Sequence, residues 1–138
     1  MQDHDEPGLS EAFWGVARQL RHLTKDALAP WQVTPSQARA LGVLGKEPVL
    51  RLNELAEQLR IAPRSVTEVV DDLESRGLVE RRPDPADRRA TLAALTETGR
   101  EVVAAIGAAR RAEADRFFST LSPADRDHLT RILQQLSA

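Results

Sequence analysis

Apolar residues recur at helical spacing over most of this chain and predict six helices. The first helix begins at Ser10 and ends before Pro30, and the next two are short, with Thr34 and Asn53 as their N-cap residues. The fourth helix starts with a proline and ends at Gly77, and its core-facing stripe consists of Val66, Val69, Val70 and Leu73.

The spacing of apolar residues changes after Gly77 and predicts a β-hairpin. Residues 78–82 and 90–95 each have the composition of a short strand. The connection from Pro83 to Arg89 is too long for a two-residue turn, and its two prolines predict an extended polar loop. We therefore expect this loop to project from the hairpin.

Two further helices follow the hairpin, one capped by Thr96 and the other by Ser122. Large aromatic residues lie near both ends of the chain, at Phe13, Trp14, Phe117 and Phe118. The middle of the chain is too small to cover this apolar surface, so we expect the first, fifth and sixth helices to pack against a second copy. A self-contained helical bundle is the alternative.

The composition is that of one globular domain. The chain has 138 residues, and 41% hydrophobic and 29% charged residues exclude intrinsic disorder. Cysteine is absent, which excludes disulfides and thiol chemistry. No apolar run is long enough to span a membrane and the acidic start lacks the blocks of a signal peptide, so we expect a cytoplasmic protein. The net charge of −2 means that any polyanion site has to be local.

The third and fourth helices, joined by residues 60–62, have the spacing of a helix-turn-helix, and the hairpin makes this a winged helix. In this region the chain resembles the MarR family of bacterial transcription regulators. The stretches that carry the resemblance are LNELA at 52–56, the run 65–79, DPADRR at 84–89 and LTETG at 95–99. It departs from the family pattern at Ala62, where a capping Ser or Thr is common, and in the acidic second half of the fourth helix.

The resemblance spans residues 32–104 and implies a mainly α fold with a small β-hairpin wing. Residues 1–138 would then form one domain, with a winged-helix DNA-binding lobe at 32–95 and dimerisation helices at 10–28 and 97–138. It also implies a homodimer that binds double-stranded DNA, with its two recognition helices one DNA turn apart. A two-fold dimer of this kind requires a pseudo-palindromic operator.

The exposed side of the first turns of the fourth helix carries the candidate base contacts, which are Arg64, Ser65, Thr67 and Glu68. Arg64 can donate two hydrogen bonds to guanine, and the two hydroxyls can reach bases or phosphates. A solvated polar face is the alternative interpretation.

The wing carries Asp87, Arg88 and Arg89, and Asp87 is close enough in sequence to brace one of the two guanidinium groups. The family resemblance implies that Arg89 enters a minor groove, where A·T-rich sequence concentrates negative potential. We expect Arg88 to contact phosphate. A mobile, solvated basic loop is the alternative.

Trp14, Arg18 and His22 recur every four residues on the first helix. Members of the family often bind small aromatic or phenolic effectors, and these side chains could form an aromatic wall, an anion clamp and a titratable donor. The same spacing is found on any helix face, so packing at an interface is the favoured alternative.

The sequence contains neither the serine motif of a hydrolase nor the histidine motif of a zinc protease, and it has no glycine-rich phosphate-binding loop. We therefore expect neither an enzyme nor a cofactor. Asp125 and His128 share one face of the last helix, but no third metal ligand accompanies them. The sequence thus predicts an effector-responsive repressor, and the alternative from another class is a winged-helix module that binds protein instead of DNA.

Overall fold

The computed structural model describes Glu6 and residues 8–138. Residues 1–5 and Pro7, which belong to the acidic start considered above, lie outside the described residues. The structure has six α-helices and three strands in this part of the chain: α1 (Leu9–Asp26), α2 (Pro35–Lys46), β1 (Val49–Arg51), α3 (Leu52–Leu59), α4 (Pro63–Ser75), β2 (Val79–Asp84), β3 (Asp87–Leu95), α5 (Glu97–Phe118) and α6 (Pro123–Ser137).

These elements form two compact units. Residues 28–108 contain the helix-turn-helix, the sheet and the start of α5. The other unit combines the described residues up to 27 with residues 109–138, and thus contains α1, the second half of α5 and α6.

Most helix ends follow the capping chemistry that the sequence predicts. The Thr34 hydroxyl accepts the Gln37 N–H at 3.1 Å, while the Gln37 side chain accepts the Thr34 N–H at 2.9 Å, which completes a capping box. The Ser122 hydroxyl caps α6 in the same way by accepting the Asp125 N–H. Gly77 has φ +75°, as expected for a residue that ends α4 in the left-handed region.

The predicted start of α3 is wrong by two residues. Arg51, not Asn53, occupies the N-cap position in an extended conformation, and its N–H donates to Glu54 at 2.9 Å. Residues 49–51 form a third strand that pairs with β3 in the antiparallel order β1-β3-β2. Three residues are too few to show an alternating pattern, so the sequence did not reveal this strand.

The predicted long wing loop is also wrong, because the strands extend further than their apolar residues indicate. Only Pro85 and Ala86 separate β2 from β3. Pro83 is tolerated because β2 is an edge strand, where a missing N–H costs no central hydrogen bond. Pro83 pairs with Thr91 whereas the next residue pairs with Asp87, so residues 88–90 form a bulge in β3.

The core of residues 28–108 fixes α4 relative to α2, α3 and the sheet. Val66, Val70 and Leu73 of α4 are at most 1% exposed, as the helical spacing predicts. Val69, the fourth residue of the predicted stripe, is only partly buried against the same core. The first three belong to one cluster with buried residues of the neighbouring elements, including Leu41, Leu44, Leu55, Leu59, Val79, Ala93 and Leu95. The wing and α4 therefore share one rigid support.

Thr96 joins the end of the sheet to the start of α5. Its hydroxyl donates to the carbonyl of Gly77 at 2.6 Å and accepts the N–H of Gly99 at 2.9 Å. The residue therefore caps α5 and also binds the backbone segment that leaves α4. Through these two hydrogen bonds, the LTETG stretch connects the start of α5 to the end of α4.

The second unit leaves much of its apolar surface uncovered in the single chain. No residue of α1 or α6 is buried. Apart from Val49, every large hydrophobic side chain that is exposed among the described residues lies in these two helices; they are Leu9, Phe13, Trp14, Val16, Ile132, Leu133 and Leu136.

Candidate nucleic-acid interface

The turn between α3 and α4 is fixed by backbone and side-chain hydrogen bonds. Arg60 adopts a left-handed conformation with φ 56°, and the Ile61 N–H donates to the carbonyl of Ala56 at 3.1 Å. The Arg39 guanidinium of α2 donates to the Leu59 carbonyl at the last residue of α3. Contacts made by α2, α3 and the turn therefore fix the angle between α3 and α4.

The first two turns of α4 present a polar face to solvent. Arg64, Ser65, Thr67 and Glu68 are all exposed, on the side opposite the buried stripe. The Thr67 hydroxyl donates to the Pro63 carbonyl at 3.1 Å, which fixes its rotamer and leaves its lone pairs free to accept. No side chain caps this helix at Ala62, in agreement with the sequence.

The acidic second half of α4 is neutralised by arginines. Arg81 of β2 donates to Glu74 at 2.7 Å and forms an ion pair with Asp71. Burial alone would lower the pKa of Arg81, but the hydrogen bonds and charges of Asp71 and Glu74 outweigh it and raise that pKa. These contacts also attach α4 to the base of the wing.

Asp72 has its own partners on two sides. It accepts a hydrogen bond from the Gln37 amide of α2 at 2.6 Å and pairs with Arg76 at 3.1 Å. Arg76 also donates to the carbonyls of Trp31 and Gln32. The carboxylates that would repel DNA therefore hold α4 in place.

The wing exposes Asp87, Arg88 and Arg89 next to its turn. The Asp87 carboxylate accepts the backbone N–H of Arg89 at 3.0 Å. The expectation that Asp87 braces a guanidinium is therefore wrong, because a short Asp side chain in a tight turn reaches the backbone two residues on. None of the ion pairs among the described residues includes Arg64, Arg88 or Arg89.

One charged pair beside the turn of the wing was not predicted from the sequence, and its carboxylate is buried. Asp84 is only 7% exposed, and it accepts hydrogen bonds from the Ala86 N–H and from Nε of Arg51, both at 2.8 Å. The Ala86 amide first, and then the Arg51 guanidinium, hold the pKa of Asp84 below its usual range despite burial. The contact with the Ala86 amide could be predicted, because an Asp side chain often accepts the N–H two residues on in a turn. The contact with Arg51 could not be predicted from the sequence.

A groove of about 380 Å³ lies beside this pair, between the start of α3 and strand β3. Its lining residues are Arg51, Leu52, Asn53, Asp87, Arg89, Ala90 and Thr91. Asn53 is thus an exposed residue of the first turn of α3 and not its cap.

The predicted effector residues lie in the other unit. Trp14, Arg18 and His22 are all exposed on α1. The Trp14 ring packs edge-to-face against Phe13 at 5.4 Å, and His22 lies 3.4 Å from the carboxylate of Asp26.

The described residues contain no candidate metal site and no candidate membrane-spanning helix. Within that part of the chain, no three side chains of the His, Asp and Glu types are grouped as a metal site would require. None of its helices combines the length and apolar composition needed to cross a bilayer.

Known proteins match this architecture in both sequence and structure. The model of the MarR family matches residues 31–90. An HTH-type transcriptional regulator of Mycobacterium bovis is 36% identical over 121 residues, covering 88% of this chain and 82% of the relative. The HTH-type transcriptional repressor MdtR of Bacillus subtilis is 31% identical over 105 residues, covering 76% of this chain and 68% of the relative.

A solved structure of a MarR mutant of E. coli, complexed with operator DNA, has the same fold. Its TM-score is 0.72 at 23% identity, and the match covers 93% of this chain and 92% of that one. The predicted fold class, a winged helix-turn-helix with a mainly α composition, is therefore confirmed. Together with the sequence relatives, this shows that the chain belongs to the MarR family of DNA-binding transcription regulators, which are not enzymes.

Proposed function

We propose that this protein is a homodimeric repressor that binds a pseudo-palindromic operator until a small effector lowers its affinity. One observation carries the proposal. Arg64, Arg88 and Arg89 are exposed and take part in no ion pair among the described residues. The carboxylates in the second half of α4 are, by contrast, each paired with an arginine. The three exposed arginines form a local surface for a polyanion on a chain of net charge −2.

In this proposal the first turns of α4 enter the major groove. Arg64 donates to guanine, while Ser65 and Thr67 contact bases or phosphates, and Glu68 can accept a hydrogen bond from cytosine. The ion pairs of Arg81 with Asp71 and Glu74 support this arrangement, because they offset the negative charge in the second half of the helix. Only the N-terminal half of α4 then approaches the bases.

The wing provides the second contact. Arg89 enters the adjacent minor groove, where a narrow A·T-rich sequence favours a guanidinium, and Arg88 contacts phosphate. Asp87 contributes by holding the Arg89 backbone instead of meeting DNA itself. Part of the sequence preference is thereby read from the shape of the duplex.

The homodimer is supported by the apolar surface that a single chain exposes. Leu9, Phe13, Ile132 and Leu136 are between 45% and 90% exposed, which is unusual for a stable monomer. A two-fold interface formed by α1 and α6 would bury them and present two copies of α4 to one duplex. The protein would act in the cytoplasm, where bacterial promoters are found.

Repression and effector binding are the finer parts of the proposal. MdtR is named a repressor, and a dimer on a promoter blocks it sterically. Trp14, Arg18 and His22 are the residues we propose for a small aromatic or phenolic anion, because all three are exposed on one helix. Quenching of tryptophan fluorescence by such an anion, lost in Arg18→Ala, would support this site.

The alternative function is a winged helix that binds another protein. The two functions differ in their response to salt, because DNA binding releases one set of counterions for each phosphate neutralised. For DNA, log K falls by roughly 0.9 for each neutralised phosphate per tenfold rise in salt. An apolar protein interface depends far less on salt.

The experiment measures fluorescence anisotropy of a labelled A·T-rich duplex at several salt concentrations. We expect tight, salt-sensitive binding that the combined substitutions Arg88→Ala and Arg89→Ala weaken strongly. Lys46→Ala removes an exposed charge at the end of α2, which the proposal assigns neither to the DNA contacts nor to the dimer interface, and serves as the control. Binding that fails at low salt, or that the wing variant leaves unchanged, would contradict the proposal.

A further inference from the structure

Asp84 is the only charged residue that is buried in the part of the chain that the structure describes. Burying a carboxylate is costly unless it is paired, so its contacts have to be strong enough to hold it there. Both of its oxygens are used: Oδ1 accepts the Ala86 N–H and Oδ2 accepts Nε–H of Arg51. A charged side chain that is buried to this extent is unusual next to the exposed residues of the wing turn.

Arg51 belongs to a different element, 33 residues earlier in the chain. It is the last residue of β1, where it pairs with Leu92 of β3, and it is also the N-cap residue of α3. Its backbone N–H is held by Glu54 in the first turn of that helix. The Asp84 carboxylate therefore connects the wing turn directly to the start of the helix-turn-helix.

This connection lies where the backbone pairing of the wing is weakest. The register between β2 and β3 breaks between Pro83 and Asp84, and beyond the break only Asp84 and Asp87 pair across the hairpin. Arg89 lies in the bulge that follows. Its orientation thus depends on side-chain contacts more than on a regular ladder of backbone hydrogen bonds.

We propose that Asp84 and Arg51 are positioning residues that hold the wing at a fixed angle to the helix-turn-helix, so that Arg89 reaches the minor groove. The inference rests on the proposed DNA-binding function and adds two residues to it. Neither residue has to contact DNA for the effect, because they act through the wing turn. A direct phosphate contact by Arg51, whose side chain is 40% exposed, is the competing role.

A double-mutant cycle on DNA affinity distinguishes these roles. Asp84→Asn keeps an oxygen for the Ala86 amide but places an amide group without charge opposite Arg51. We expect it to weaken binding to an A·T-rich duplex by about fivefold to tenfold when Arg89 is present, within the range for residues of one network, and to change little in Arg89→Ala protein. An equal loss in both backgrounds would indicate a merely structural role and overturn the proposal.

Substitutions of Arg51 add a second comparison. Arg51→Met should reproduce the loss seen for Asp84→Asn, and Arg51→Lys should restore part of it because a cation again faces the buried carboxylate. Glu80→Gln, which breaks an exposed pair with Arg82 on the same strand, is the matched control and should leave affinity unchanged. If Arg51→Met weakens binding while Asp84→Asn does not, Arg51 contacts DNA directly and positioning is wrong.

Amide hydrogen exchange of the free protein tests the same inference without DNA. We expect faster exchange at residues 86–90 in Asp84→Asn and Arg51→Met, with unchanged exchange in α4. Unchanged exchange in the wing would overturn the inference. If the wild-type protein does not bind duplex but the two variants still show faster exchange in the wing, the proposed function is contradicted. The result would nevertheless support the inference that Asp84 and Arg51 hold the wing in position.

Discussion

Gly99 of α5 lies directly against the backbone carbonyl of Leu78, at the point where the chain leaves α4. A Cβ atom built at Gly99 would stand 1.9 Å from that oxygen. The Leu78 carbonyl cannot move aside freely because it accepts the Thr96 N–H at 3.0 Å. The glycine of the LTETG stretch is therefore required by a close approach of two backbone segments, and not by a special backbone conformation.

Gly99→Ala should destabilise the protein by about 2–3 kcal/mol or more, because backbone and not a flexible side chain has to move. Gly42→Ala in α2 is the control: nothing lies within 4 Å of its Cβ, so alanine should be neutral or should stabilise the helix by up to about 1 kcal/mol. Urea unfolding of both variants measures the difference. Equal stability of the two variants would refute the close approach.

Ala62→Ser should stabilise the protein. The backbone at Ala62 already has the extended N-cap conformation, with φ −65° and ψ 149°, but no side chain accepts a hydrogen bond there. A serine hydroxyl could accept an N–H of the first turn and raise the free energy of unfolding by about 1 kcal/mol. Ala62→Val supplies no acceptor and should give no gain in the same denaturation experiment.

Arg64→Ala and Arg88→Ala should affect DNA binding in different ways. Loss of a base contact by Arg64 should relax preference at one base position by about 1–3 kcal/mol. Loss of a phosphate contact by Arg88 should weaken binding to all sequences alike and reduce the salt slope by about 1. Competition between duplexes that differ at single positions separates the two effects, and identical behaviour of the variants would contradict the assigned roles.

The stability contributed by Asp84 should depend on pH in a defined direction. Its pKa is lower in the folded protein than in the unfolded chain, so the contribution is complete above the unfolded value of about 3.9 and disappears as pH falls through the folded value. Asp84→Asn should therefore be less stable than wild type at neutral pH, and the two should converge in acid.

Urea unfolding at neutral pH and in steps below about pH 4 measures this convergence. Glu80→Gln lacks one carboxylate of an exposed pair and should follow wild type throughout. A difference between Asp84→Asn and wild type that stays constant into acid would show that the charge of Asp84 contributes nothing.

Local chemistry made several parts of the fold predictable from sequence. The capping box of Thr34 and Gln37, the left-handed Gly77 and the cap provided by Thr96 all depend on residues within a few positions of each other. The buried stripe of α4 follows from its helical period, and the opposite face contains the candidate base contacts. Such features need no knowledge of the tertiary structure.

Features that depend on distant residues could not be predicted in this way. The strand at residues 49–51 exists because β3 pairs with it, and the ion pair of Arg51 with Asp84 joins residues that no periodicity relates. Nothing in the sequence pattern around Arg81 indicates that it lies between Asp71 and Glu74 of α4. The predicted wing loop is too long because residues 88–90 form a bulge within β3 and do not belong to the loop.

The site assignments all depend on recognition of a specific, two-fold symmetric DNA sequence by this protein. The most direct measurement is selection of bound duplexes from a random pool with the full chain, repeated at two salt concentrations. We expect an enriched inverted repeat with half-sites about one turn of DNA apart, flanked by A·T-rich sequence, and weaker binding at the higher salt concentration. The absence of any enriched sequence at low salt would contradict the account and favour a protein partner for the winged helix.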